Sequence, residues 1–301
     1  MPDSKPSVTA AVVASTLLLL PGDPELGPLL DPLAQPAIDA SVRRTIPIFG
    51  ELLDRVPRAV IRRVGFAVER LLSPGFITHY ALRKHTITMQ LRRAVDDGFR
   101  QVVMLGAGFD MLSTCLPTDV AVLEVDLPAT QEAKHESLGA VSAPNVSFVP
   151  LDLRTRDLRD ALLAAPRFDR GLRTLFVAEG LLMYLDAERV RSILRDVASF
   201  DGARAVLSVI TPDRRGRYRL HSQRRFVDAC MRYLEEPFVW GASREDLSSL
   251  LASEGLVLES ATCTTEVRDR LLGKAGRRRM PRASGELVVV ATACGPSSPR
   301  E

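Results

Sequence analysis

The sequence predicts an α/β protein: a doubly wound, Rossmann-like, seven-stranded and mostly parallel sheet, with a helical N-terminal cap and a lid inserted after the fifth strand. Three observations predict it. Seven short runs rich in Val, Leu and Ile recur between residues 101 and 293. Helical patterns alternate with them, and a glycine turn follows the first run.

In chain order, residues 1–94 show no strand rhythm and read as a mostly helical cap. Within them residues 9–20, TAAVVASTLLLL, are too few for a bilayer span, which needs about 20 apolar residues. The PGDPELGPLLDPLA that follows offers no small-residue cleavage site. The run is therefore expected to be a buried amphipathic helix of a cytoplasmic protein that engages no membrane. Residues 95–301 form the second unit, and its strand candidates are QVVML (101–105), VAVLEV (120–125), VSFVPL (146–151), TLFVAEG (174–180), ARAVLSVI (203–210), LVLESATC (256–263) and ELVVVATA (286–293). Several are almost continuously apolar, as strands covered on both faces must be. ATQEAKHESLGA and DAERVRSILRDVASF supply helices between them. The last two strands are joined by the basic segment RDRLLGKAGRRRMPRASG, which suits a final strand returning antiparallel at the sheet edge. Residues 211–240 interrupt the alternation after the fifth strand and are assigned as a lid. MPDSKPS and GPSSPRE at the two ends have disorder-like composition.

Composition excludes several classes of function. A formal charge of +3 over 301 residues does not suit a protein that coats nucleic acid. Cys115, Cys230, Cys263 and Cys294 are widely spaced, without a CxxC pair, so neither a zinc site nor a disulfide framework is indicated. No metal is expected.

The chemistry concentrates at the carboxyl ends of the strands, where open α/β sheets bind ligands. Gly106-Ala107-Gly108 lets the backbone turn tightly and approach a ligand. A dinucleotide fingerprint would place a third glycine where Met111 stands, which disfavours a nicotinamide oxidoreductase. Asp126 lies 18 residues beyond Gly108, near the spacing at which an acid receives ribose hydroxyls. Asp152-Leu153 and Glu179-Gly180 follow the next two strands. Each acid alone is a common helix cap. Three at corresponding strand ends, beside the glycine turn, point to a nucleoside-containing ligand carrying positive charge.

The ordered set VVMLGAGFD, LEVDLPATQEAK, PLDLR and FVAEGLLMYL resembles the leucine carboxyl methyltransferase family, over roughly residues 7–293. The resemblance implies S-adenosylmethionine as cofactor. It assigns Arg83 to the cofactor's carboxylate, Gly106 and Gly108 to its methionine portion, Asp126 to the ribose, Asp152 and Leu153 to the adenine, and Glu179 to the methionine amino group. Tyr184 closes the last motif, either facing the methyl-transfer site or packing. Two departures from the bacterial pattern stand out: Lys84-His85-Thr86-Ile87-Thr88 replaces the expected T-x-x-x-D after Arg83, and Leu112 replaces an arginine.

The implied reaction is methyl-ester formation on a small carboxylic acid of the polyketide-metabolite type. It needs no general base, because the acceptor is already ionised at neutral pH. Arg217, His221 and Arg225 of the lid are the candidates for holding that acid. Two alternatives stay open: a hydroxyl methyltransferase, with His79, His85, His135 or His221 as base, and a cofactor-binding protein without catalysis. The oligomeric state is open between monomer and homodimer.

Overall fold

The computed structural model describes residues 13, 15–32, 35–45, 47–138, 143–272 and 284–294. The end segments MPDSKPS and GPSSPRE, residues 9–12 and 14 of the N-terminal run and most of the basic segment lie outside these residues. Cap helices α1 (Gln35–Thr45), α2 (Pro47–Arg55) and α3 (Arg58–Leu72) lead into α4 (Phe76–Asp96), which feeds the sheet. The strands are β1 (Gln101–Leu105), β2 (Ala121–Asp126), β3 (Val146–Pro150), β4 (Thr174–Ala178), β5 (Arg204–Ile210), β6 (Leu256–Cys263) and β7 (Glu286–Ala293). Between them lie α5 (Pro128–Leu138), α6 (Leu158–Ala164), α7 (Ala187–Ala198), α8 (Arg225–Tyr233), α9 (Leu247–Ser253) and α10 (Thr264–Leu271).

All seven strands form one sheet in the order β3-β2-β1-β4-β5-β7-β6. Strands β1 to β5 pair in parallel, and β7 runs antiparallel to both β5 and β6. The returning strand is therefore not at the edge as expected. It slots between β5 and β6, as its fully apolar core LVVV requires: an edge position would leave one side of its backbone unpaired. Antiparallel entry also puts its first residue, Glu286, opposite Ile210 at the ligand end of the sheet.

One core lies between the sheet and α6, α7 and α9. Helix α7 shows why it packs there: Val190, Ile193, Leu194 and Val197 repeat at helical spacing and are all buried. Asp186 caps it by accepting the Arg189 N–H at 2.9 Å. The opposite face of the sheet is covered by the second half of α4, through Ile87, Leu91 and Ala94. Leu17 to Leu20 do go inside, within a cap core that also holds Ile77, Tyr80, Phe109 and Met111. The N-terminal run continues as helix only through residues 15–17 before it turns.

Met111 also explains the missing third glycine. No long helix follows the glycine turn; a short 3-10 turn, Leu112–Cys115, takes its place. With no helix to bring close to the sheet, position 111 is free to plug the cap core, where it is 1% exposed. Introducing the fingerprint glycine, Met111→Gly, is expected to lower unfolding free energy by at least about 2 kcal/mol through the cavity it leaves. Urea denaturation of the two proteins measures it.

Candidate functional site

The glycine turn is shaped by its backbone. Gly106 and Gly108 sit at φ +62° and +47°, where a side chain strains the chain. A Cβ on Gly106 would approach Leu181 Cδ1 at 2.8 Å. The Gly106 N–H donates to the Val125 carbonyl at 2.8 Å, binding the turn to the end of β2. Asp126 completes the junction: Oδ2 accepts the Gly108 N–H at 2.6 Å and Oδ1 the Leu127 N–H at 2.7 Å. Burial raises its carboxyl pKa, and these two N–H donors oppose the rise. Each oxygen keeps an unused lone pair, so the carboxylate can still receive two hydroxyls. From below, the buried Lys134 reaches both Glu124 (2.6 Å) and the Asp110 carbonyl.

Beside this turn the structure assembles a buried chain of charge. In helix α4, His79 and Arg83 are four residues apart and Lys84 is next to Arg83, so all three project toward one side. The Lys84 ammonium lies 2.7 Å from Asp110 Oδ2 and 2.7 Å from Glu179 Oε2. Arg83 donates from Nε to Glu179 Oε1 (3.1 Å) and from Nη1 to both oxygens of Glu286 (2.9 and 3.0 Å). His79 Nε2 is 2.6 Å from Glu286 Oε2, and its Nδ1 is 2.7 Å from Thr264 Oγ1. Glu286 and His79 side chains are 1% exposed, Glu179 6% and Lys84 7%. The Arg83 guanidinium also lies 4.7 Å from the centre of the Tyr80 ring.

The electrostatics follow. Burial pushes the Lys84 ammonium pKa down, but Asp110 and Glu179 outweigh it and hold the group charged. Burial likewise works against ionisation of Asp110, and Lys84 overrides it, so its pKa is lowered. Glu286 is pulled down to about 2 against its burial, by the Arg83 and His79 that face it. Three carboxylates thus surround two permanent cations. Arg83 Nη2 makes no hydrogen bond among the described residues and lies 3.6 Å from where a Cβ on Gly180 would be. Gly180 itself sits at φ +66°, where a side chain strains the chain.

The structure therefore brings Arg83, Gly106, Gly108, Asp126 and Glu179 to one end of the sheet. It adds Lys84, Asp110 and Glu286, which sequence reasoning did not select. The signal was present: an antiparallel last strand starts at the ligand end, so the acid opening ELVVVATA belongs there. Asp152 stands at the end of β3, yet its carboxylate is engaged by its own neighbour, with Arg154 Nε at 2.9 Å and Nη2 at 2.7 Å, and Arg154 keeps it ionised. Leu153 is buried beside it.

The three substrate-side candidates in residues 211–240 have partners of their own or none among the described residues. Arg217 is committed to Asp213 through Nε (2.9 Å) and Nη2 (2.7 Å), within its own turn. His221 spans Thr211 and Ser284 at 3.4 and 3.3 Å, and Arg225 is exposed at the start of α8. None of the three bonds to the charge chain. Next to β5's end an apolar cluster forms, of Met183, Ile210 and Leu220 with Phe76, Tyr184 and Phe238 packed on them. Tyr184 is half-buried and meets Phe238 edge-on at 5.4 Å. The Val239 N–H donates to the Met183 carbonyl at 2.8 Å.

The two departures also find their places. Thr88 turns its hydroxyl back onto the Lys84 carbonyl (2.8 Å), and Leu112 is buried near Ile87 and Leu91. An acid and an arginine are replaced by a self-satisfied hydroxyl and a packed leucine, while Lys84 brings a cation to Glu179. Among the described residues no cluster of three or more His, Cys, Asp or Glu could hold a metal, and no helix is long and apolar enough to cross a membrane.

A leucine carboxyl methyltransferase model matches residues 28–198. A Mycobacterium bovis protein named as an S-adenosyl-L-methionine-dependent methyltransferase is 34% identical over 188 residues, covering 60% of this chain and 57% of that protein. A Frankia alni protein of the same naming is 41% identical over 118 residues, covering 38% of this chain and 41% of that protein. The chain thus matches little more than half the length of these relatives at most. A crystal structure of a protein named as a methyltransferase, from Thermobifida fusca, shares the fold with a TM-score of 0.58 at 16% identity, over 96% of this chain and 95% of that one.

Glu286→Gln tests the charge chain. A carboxyl whose pKa is depressed on folding contributes stability above its unfolded value, near 4.5, and loses it as pH falls through about 2. The variant is expected to be less stable at neutral pH by about 3–5 kcal/mol, because Arg83 is left short of a partner. It is also expected to lose less of its remaining stability than the parent between about pH 5 and pH 3. Urea midpoints at the two pH values check both.

Proposed function

This chain belongs to the leucine carboxyl methyltransferase family, and we propose that it is an S-adenosylmethionine-dependent O-methyltransferase forming a methyl ester on a small, largely apolar carboxylic acid, in the manner of a polyketide-type metabolite. The observation that carries the reading is Arg83, whose Nε holds Glu179 while its Nη2, beside Gly180, makes no hydrogen bond among the described residues.

The residues present fit the cofactor. Arg83 Nη2 offers a donor to the methionine carboxylate, and Glu179 stands beside it for the amino group. Gly106 and Gly108 leave room at the turn, and Asp126 keeps lone pairs for both ribose hydroxyls. The excess of one carboxylate over the permanent cations in the charge chain favours a ligand of net positive charge. Leu153 packs into the core beside the adenine end and shapes the loop there, whereas Asp152 is held by Arg154. When bound, S-adenosylmethionine supplies an electrophilic methyl group on a sulfonium.

The protein's own task is then alignment and exclusion of water. The acceptor carboxylate is ionised without help, so no residue has to take its proton. Tyr184, Phe238, Met183 and Ile210 provide an apolar wall that strips water from the acid and holds its body, and proximity supplies much of the acceleration. The arrangement suits an acid with an apolar body better than a hydroxyl substrate. His79, the buried histidine nearest the charge chain, has both ring nitrogens engaged by Glu286 and Thr264. We place the division between cap and cofactor-binding domain near residue 94, with 211–240 as lid.

Calorimetric titration with S-adenosylmethionine, its demethylated product and NAD tests the cofactor; binding of the first two without the third is expected. Asp126→Asn is expected to weaken S-adenosylmethionine binding about tenfold, the order of one charge-assisted hydrogen bond. For the acceptor, the turnover rate with a carboxylic acid is expected to stay level from about pH 6 to pH 8. A steep loss below about pH 6.5 would indicate a histidine base and a hydroxyl acceptor instead.

A further inference from the structure

Helix α3 of the cap and helix α8 of the lid both turn apolar stripes to solvent. On α3, Val60, Val64, Val68 and Leu71 follow one another at helical spacing and are 46, 56, 46 and 72% exposed. On α8, Phe226 and Tyr233 are 66 and 89% exposed, Ala229 lies exposed between them, and no residue of the helix is buried. The two helices meet where the Arg224 N–H donates to the Leu72 carbonyl at 3.1 Å. Single exposed apolar residues are ordinary, whereas aligned stripes on adjoining helices mark an interaction surface.

On these two helices themselves the exposed charge has one sign. Arg63, Arg70, Arg224, Arg225 and Arg232 are exposed and form no ion pair among the described residues. The sole acid of α3, Glu69, is buried and accepts the Ile77 N–H at 3.2 Å. The sole acid of α8, Asp228, is held by Arg219 and by Gln223 at 2.7 Å. The exposed Glu235 comes only after α8 has ended.

We propose that this face of cap and lid docks on an anionic lipid surface, with the valine, leucine and aromatic side chains in the interfacial layer and the arginines on headgroup phosphates. A second copy of the chain fits less well: pairing the α3 stripes about a two-fold axis would set Arg63 and Arg70 of both copies against each other with no acid between them. The expectation of no membrane partner rested on the lack of a spanning segment, and surface docking needs none. The proposal stands independently of the acceptor's identity, but it places the roof of the ligand site against the phase in which an apolar acid would dissolve.

The test is co-sedimentation of the full chain with phosphatidylcholine vesicles, with and without phosphatidylglycerol, at low and high salt. Expected are binding to the anionic vesicles only, weakening with salt, and a loss of about tenfold or more in each of Arg63→Glu/Arg70→Glu and Val64→Glu/Leu71→Glu. Because these side chains are exposed, both variants should keep the parent's melting temperature and its affinity for S-adenosylmethionine. Five results would overturn the proposal. Vesicle binding could be absent, or unchanged in both variants. Sedimentation could show a dimer that Leu71→Glu dissociates, which assigns the face to a second copy. Polyglutamate could bind as tightly as the vesicles and ignore Val64→Glu/Leu71→Glu, which assigns it to an acidic protein. Vesicle binding could emerge only after deletion of residues 1–12, which assigns it to the chain's own start.

Discussion

A buried chain of alternating charge, from Asp110 through Lys84, Glu179, Arg83 and Glu286 to His79, is the constraint around which the ligand end is organised. It gathers residues from helix α4, the glycine turn, the end of β4 and the start of β7, with Thr264 of α10 at its far end. Taking these groups out of water is costly, and only mutual pairing offsets it. The cap must therefore sit where Arg83 and Lys84 can reach Glu179, and β7 must enter the sheet where Glu286 can reach Arg83.

That requirement links the fold to the chemistry. With Nε and Nη1 of Arg83 both held, the remaining nitrogen is aimed by the protein rather than by the ligand. A donor positioned in advance loses little freedom on binding. Gly180 lies beside that nitrogen, and Ser208 fixes the glycine by accepting its N–H at 2.8 Å. In the function proposed above, the polar floor of charges orients one end of the bound pair, and the apolar cluster of Tyr184, Phe238 and their neighbours keeps water from the other.

The sheet was legible in the sequence because strands buried on both faces must be apolar throughout, and QVVML, TLFVAEG and ELVVVATA admit few other readings. Gly106, Gly108, Asp126 and Glu179 were legible because each follows a strand, and strand ends converge in an open α/β sheet. The lid was harder. Arg217 and Arg219 stand in a row of arginines that reads as a source of substrate ligands, but Asp213 and Asp228 within the same segment claim them. Local ion pairs at separations of four and nine residues are not distinguishable by composition from ligand-binding groups. Glu286 was overlooked because an acid at a strand start reads as a loop residue until the strand's direction is known.

By itself, then, the sequence determined the alternation of strands and helices, the glycine turn, the acids that follow β2 and β4, and the ordered motifs that resemble a methyltransferase family. These depend on periodicity and near neighbours, which a linear chain displays. Tertiary structure alone decided that β7 lies between β5 and β6, that Met111 plugs the cap core, and that Lys84, Asp110 and Glu286 join Arg83 and Glu179. Those outcomes hang on contacts between residues as far apart in sequence as His79 and Glu286, 207 positions. Burial, which turns a charge from a solvated surface group into an obligatory partner, exists only once the chain has folded.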